Sequence, residues 1–388
     1  MPIKILSVDD EIDLELLLTQ YFRRKIRKGE YEFVFAHNGL EALTMMLKHP
    51  DIEIILSDIN MPEMDGLTLL AKINEMRNPA LKVIMVSAYG DMGNIRQAMN
   101  NGAFDFATKP IDLDDLSLTI EKAIEQIDYV HRSQQEHSQL ESLKGDLAIA
   151  AEIQQAILPQ VFPPFPELVG KFDIAASMTP AKDVGGDFYD FFRIDDNRIG
   201  LIMADVSGKG IPAAIFMAVS RTLIRATGMR GVSPAECIEY SNRLLADESV
   251  NCMFVTVFYG ILDLSTSMLT YCNAGHNPPF LLKPGGQATA LPMNGDPMVG
   301  AMDGLQFHEH SVGLEKGDAL VMYTDGVTEA VNTAFEEFGE ARLCDTLATQ
   351  TGSNCAQLIA AVKGAVTTFA GDAEQSDDIT IMAVKMEK

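Results

Sequence analysis

Residues 181–210 read AKDVGGDFYDFFRIDDNRIGLIMADVSGKG. Two apolar runs, Phe188–Phe192 and Arg198–Ala204, flank a polar Asp195-Asp196-Asn197 turn, which is the pattern of a β-hairpin. One carboxylate, Asp187, stands just before the first run; another, Asp205, stands just after the second. The start of one hairpin strand lies beside the end of its partner, so these acids are expected to come together. Adjacent carboxylates repel and are costly to desolvate unless a cation lies between them. Hard divalent ions such as Mg²⁺ or Mn²⁺ prefer that all-oxygen setting. Taken alone, the pair fits two ordinary acidic turns as well. Further on, Ala319–Thr324 runs into Asp325-Gly326, and Asp377-Asp378 runs into the apolar run Ile379–Val384. Carboxylates at the ends of several strands, far apart in sequence, are what a site for two ions needs.

The segments DVGGDFYD, DVSGKGIPAA, NAGHNPP (273–279), YTDGVTEA and SDDITI resemble the PPM-type metal-dependent serine/threonine phosphatases. Within that family they resemble the bacterial branch that acts in sigma-factor partner switching, over about residues 150–388. The resemblance implies an α+β sandwich of two antiparallel sheets flanked by helices. It also implies an enzyme that removes phosphate from a serine of an anti-sigma-factor antagonist, using two Mg²⁺ or Mn²⁺ ions. By that resemblance Asp205, helped by the Val206 carbonyl, bridges both ions; Asp187 binds one, Asp325 and Asp377 the other. Asp183 and Asp378 would support these ligands from behind. The eukaryotic branch has a histidine two residues after the bridging aspartate, where this chain has Ser207, so no general acid is visible. His276 reads as a structural hydrogen-bonder. The alternative is a non-catalytic adaptor that binds a sigma factor or an anti-sigma-factor protein. Such relatives lose the metal ligands, whereas all the carboxylate positions are kept here.

Upstream, residues 1–110 alternate apolar runs with helical patterns. The strands are expected at Ile3–Val8, Glu32–Ala36, Ile52–Ser57, Lys82–Ser87 and Phe104–Ala107. The helices are expected at Ile12–Lys25, Gly39–Lys48, Leu67–Glu75, Asp91–Asn100 and Leu113–Val130. Strict alternation predicts an α/β doubly wound parallel sheet with ligands at the carboxyl ends of its strands. Asp9, Asp10, Asp58, Ser87 and Lys109 stand at those ends, and with MPEMDG (61–66) they resemble a two-component receiver domain over about 1–122. The resemblance implies that Asp58 accepts a phosphoryl group from a sensor histidine kinase. Asp9, Asp10, Asp58 and the Asn60 carbonyl would hold one Mg²⁺. Lys109, Ser87 and Phe106 would form the switch.

Between the two lies a helical linker, residues 123–160, ahead of a phosphatase domain at 161–388. Leu113, Leu116, Ile120, Ile124 and Ile127 repeat at helical spacing, which His131 to Ser142 interrupts with Gln134, His137 and Ser138. The spacing resumes in a shifted register through Leu143, Leu147, Ala150, Ile153 and Ile157 around Gly145. We read a parallel dimeric coiled coil, weak in the middle, against the plainer alternative of a single solvated helix. A net charge of −25 argues against nucleic acid and anionic membrane as partners. Five cysteines without a close pair, no signal-peptide pattern at the start and no membrane-length apolar run lead to the expectation of a cytoplasmic protein.

Overall fold

Apolar runs separated by amphipathic stretches produce a parallel sheet in the first part of the chain. Its strands are β1 (Ile3–Val8), β2 (Tyr31–Ala36), β3 (Ile52–Asp58), β4 (Lys82–Ala88) and β5 (Asp105–Lys109), in spatial order β2-β1-β3-β4-β5. The helices between them are α1 (Ile12–Tyr21), α2 (Arg23–Arg27), α3 (Gly39–Lys48), α4 (Gly66–Glu75) and α5 (Met92–Asn100). This computed structural model describes residues 2–88, 91–248 and 252–388. The chain divides into two units, Met1–Leu143 and Lys144–Lys388. The expected helix Ile12–Lys25 is broken at Phe22, which leaves helical geometry and drops into the core against Tyr31 and Phe33. Burying that ring is worth about 2 kcal/mol, more than one continuous turn of helix.

One helix, α6 (Leu113–Ile157), runs from the last helix expected for the first part of the chain into the expected helical linker. Leu116, Ile120, Ala123 and Ile127 bury its first turns beneath the parallel sheet. From His131 to Asp146 every residue is exposed. The polar run stays helical, because Gln, Glu, Ser and His all tolerate helical geometry there. Toward its end the buried face is not the expected one. Ile153 is exposed, whereas Gln154 is buried, as is Leu158 just beyond the helix.

The second unit continues with β6 (Phe172–Thr179), β7 (Phe188–Arg193), β8 (Arg198–Val206), α7 (Ile211–Gly228) and α8 (Pro234–Glu248). Five strands follow: β9 (Val255–Asp263), β10 (Met268–Ala274), β11 (Phe280–Leu282), β12 (Ala288–Ala290) and β13 (His310–Gly313). The chain closes with β14 (Ala319–Tyr323), α9 (Asp325–Thr328), α10 (Gly339–Ala348), α11 (Cys355–Ala370) and β15 (Ile379–Met386). Two antiparallel sheets result, in orders β13-β10-β9-β8-β7 and β12-β11-β14-β15-β6. Alternation along β14 shows how they stack: Leu320 and Met322 join the core shared with the first sheet, while Ala319, Val321 and Tyr323 face α10 and α11. Helices α7 and α8 cover the outer face of the first sheet. The cap of α11 is Asn354 rather than Ser353. The Asn354 side chain accepts from Gln357 N–H at 2.9 Å, and Gln357 accepts from Asn354 N–H at 3.0 Å. Ser353 instead donates to Gln350.

Candidate functional sites

At the carboxyl ends of the parallel strands, carboxylate oxygens of Asp9, Asp10 and Asp58 lie within 4.8 Å of one another. Strands β1 and β3 deliver them side by side, since Val8 pairs with Ser57. Lys109, ending β5, places its ammonium 2.7 Å from Asp58, 2.9 Å from Asp9 and 3.0 Å from Glu11. Burial alone would lower that ammonium, but the surrounding carboxylates raise it on balance, so it stays charged. Burial raises the Asp9 carboxyl, an effect Lys109 opposes. The Asn60 backbone N–H donates to Asp58 at 3.2 Å. Ser87 Oγ is fully buried with no hydrogen-bond partner among the described residues. Phe106 is half-buried beside it on β5, across from Met85. Glu11, the third acid on Lys109, was not anticipated; only its position directly after Asp9-Asp10 hinted at it.

In the second unit, the hairpin forms in the expected register, with Phe188 opposite Ala204, and this sets Asp187 beside Asp205. The two carboxyls are within hydrogen-bonding reach. Burial, followed by the charges of Asp325 and other neighbours, pushes the Asp205 carboxyl up to about 7. Asp187 is raised as well, by burial first and then by Asp205. Its Oδ2 accepts from Thr324 Oγ1 at 2.6 Å and from Thr380 Oγ1 at 2.7 Å. Asp325 opens α9 directly after β14, and Asp377 precedes β15. Among the described residues no three of these acids close to the spacing seen in the first unit, yet the charges of Asp325, Asp377 and Asp378 all act on Asp205. Lys209 stands at the rim, 2.8 Å from Asp377.

Other acids of the same motifs turn elsewhere. Asp190 lies three residues after Asp187 and so points to the opposite face of β7. It is fully buried there and pairs with Arg225 at 2.7 Å and Arg221 at 3.0 Å on α7. Asp378 accepts from the backbone of Ala181 at 2.8 Å and Gly186 at 2.7 Å, fastening the loop ahead of Asp187. Asp183 is exposed on that same loop. His276 is buried, with Nδ1 2.9 Å from Thr256 Oγ1. Val206 is paired opposite Val255, and its carbonyl lies against Gly186. Gly326 has no room for a side chain: a Cβ would sit 2.0 Å from the Asp378 carbonyl. Thr324, Thr380 and Lys209 were not foreseen, although all three lie inside the motifs YTDG, DDITI and DVSGKG.

The response regulator receiver domain family matches residues 5–121, and the Stage II sporulation protein E (SpoIIE) family matches residues 195–387. The chain joins a receiver domain to a SpoIIE-family domain. The SpoIIE match begins after Asp187 and includes Asp205, Asp325, Asp377 and Asp378. Protein IcfG of Synechocystis is 32% identical over 266 residues, 62% of this chain and 41% of IcfG. Phosphoserine phosphatase RsbU of Bacillus subtilis is 34% identical over 203 residues, 50% of this chain and 58% of RsbU. The chain thus spans about half the length of these relatives. The SiaA-PP2C domain of Pseudomonas aeruginosa shares the fold, with a TM-score of 0.55 at 21% identity, over 64% of this chain and 98% of that domain. No helix among the described residues is long and apolar enough to cross a membrane.

Proposed function

We propose that this chain is a cytoplasmic response regulator whose output is a metal-dependent protein serine/threonine phosphatase. One observation carries the reading: carboxylates just before β7, in β8, just after β14 and just before β15 act on one another, with Lys209 paired to Asp377. Burial, with neighbouring carboxylates adding to it, raises the proton affinity of Asp205 and Asp187, as expected of a site built for cations. The oxygen-only donor set fits Mg²⁺ or Mn²⁺, and the number of carboxylates suits two ions. Asp187 and Asp205, with the Val206 carbonyl, would hold one; Asp205, Asp325 and Asp377 would hold the other. Bound there, the ions lower the proton affinity of water and so supply a nucleophile near neutral pH. Thr324 and Thr380 fix the Asp187 carboxylate through one oxygen, Oδ2. Asp378 holds the loop, and Lys209 offers a charge at the rim where a phosphoserine would enter.

The receiver would take phosphate on Asp58 from a sensor histidine kinase, with one Mg²⁺ held by Asp9, Asp10, Asp58 and Asn60. Leu140, Leu143 and Ile153 are exposed along α6, with half-buried Leu147, Ala150 and Ile157 between them. This stripe supports a homodimer paired through the linker. We take the domains as 1–122, 123–160 and 161–388. The likeness to RsbU, named a phosphoserine phosphatase, supports a phosphoserine substrate, and the motif resemblance narrows it to a phosphorylated anti-sigma-factor antagonist. An adaptor would not need the acid ring. The test is release of phosphate from such a phosphoprotein under Mn²⁺. Asp205→Asn is expected to lower turnover by at least ~10², the scale of one preorganised catalytic group, without unfolding the chain. Near wild-type activity in that variant under saturating Mn²⁺ would overturn the two-metal reading, and no phosphate release by the wild type would leave the adaptor reading standing.

A further inference from the structure

We propose that Gln154 is the positioning residue for Asp187: the end of α6 holds the Asp187 loop in its metal-binding shape through this one amide. The proposal rests on the metal-site reading of the acid ring.

Gln154 is buried on a stretch of helix that is otherwise largely exposed. Its Nε2 donates to the Gly185 carbonyl at 2.6 Å, and its Oε1 accepts from the Gly185 N–H at 3.0 Å. Both polar groups of one backbone residue are thereby matched by both ends of one amide. Turning the amide over would oppose donor to donor and acceptor to acceptor, so the pairing fixes the orientation of that backbone. A buried amide is costly unless both ends are bonded, and here they are. The loop has no slack on its far side. A Cβ at Gly185 would lie 2.2 Å from Asp378 Oδ2, the oxygen that accepts from Gly186 N–H.

The same end of the helix makes a second attachment. Pro159, just past α6, accepts from Tyr189 Oη at 2.9 Å, and Leu158 is buried in the core. Gly185 and Tyr189 lie two residues before and two residues after Asp187. The chain around Asp187 is thus held on both sides by one helix end, while Thr324 and Thr380 hold its carboxylate. The hydroxyls orient the group; Gln154 places the backbone that carries it. Unwinding the last turn of α6 would free both Gly185 groups and let Asp187 leave the ring.

The test uses the full chain with glutamine replaced by methionine, Gln154→Met, which keeps length and loses both bonds. Free Mn²⁺ is followed by electron paramagnetic resonance, and deuterium exchange is read over residues 181–188. Asp205→Asn, which should keep only the receiver ion, identifies the ions belonging to the second unit. We expect Gln154→Met to bind those ions about 10- to 100-fold more weakly, the usual effect of removing a group that orients a ligand. Exchange over 181–188 should rise while α7 and α8 stay protected and the receiver ion is unaffected. Wild-type Mn²⁺ affinity in Gln154→Met, or exchange that rises across the whole unit, would overturn the proposal. Equal binding by wild type and Asp205→Asn would overturn the metal reading and this inference with it. Should the methionine chain not fold, Gln154→Glu, which keeps the volume and one acceptor, is read against the same outcomes.

Discussion

His276 shows how a single buried residue can set a response to pH. Burial lowers its imidazole from an ordinary 6.5 to about 4, so the folded chain holds it neutral. The unfolded chain binds the extra proton between those values. Its contribution to stability is therefore complete above 6.5 and is lost as pH falls toward 4. At pH 5 the loss amounts to about 2 kcal/mol. Urea unfolding of wild type and His276→Gln at pH 7.5 and pH 5 should show a smaller drop in the variant by about that amount, since all other titrating groups are common to both. The acid pair Asp187 and Asp205 was readable in the sequence because hairpin register turns spacing into proximity. Gln154, Glu11, Thr324 and Thr380 were not, because their partners lie on other elements. Nothing in AEIQQAILP distinguishes the glutamine that clasps Gly185 from the one beside it, which is exposed.

At the scale of elements, local chemistry and tertiary packing compete. Period-2 and period-3.6 patterns placed β1 and α3 at their observed bounds, and located β7 to within a residue. Helix α8 and strand β6 escaped notice. Strand β6 is half-buried along much of its length, so its apolar alternation is weak. Ser353 and Asn354 are both good caps for α11 by residue type; only the reciprocal bond from Gln357 decides between them. Asn354→Ala should therefore cost about 1 kcal/mol in chemical denaturation, and Ser353→Ala much less. In α6 the exposed middle carries no packing in a single chain, so its pairing in a dimer should be marginal. Gln134→Leu with Ser138→Leu should give a dimer by equilibrium sedimentation and raise phosphatase activity without phosphate. A constitutive dimer at basal activity would remove dimerisation as the switch.

For the whole molecule, the proposed function links phosphate on one unit to hydrolysis by the other. A small phosphodonor with Mg²⁺ should add one acid-labile phosphate to wild type and none to Asp58→Ala, and the modified chain should dimerise more tightly and turn over faster in parallel. Mass spectrometry and sedimentation read both. The order of strands in the second sheet carries a different consequence. Strand β15 lies between β14 and β6, and it pairs with β6 from about 200 residues earlier. Asp377, Asp378 and Thr380 all come with it. During translation the receiver can fold while the ribosome is still making the rest, but the acid ring has no far wall until its last strand emerges. Half-made chains are thus kept from hydrolysing anything, with no inhibitor required. A chain stopped after Gln375 should keep the receiver's thermal unfolding transition, lose that of the second unit, and leave the phosphoprotein substrate untouched.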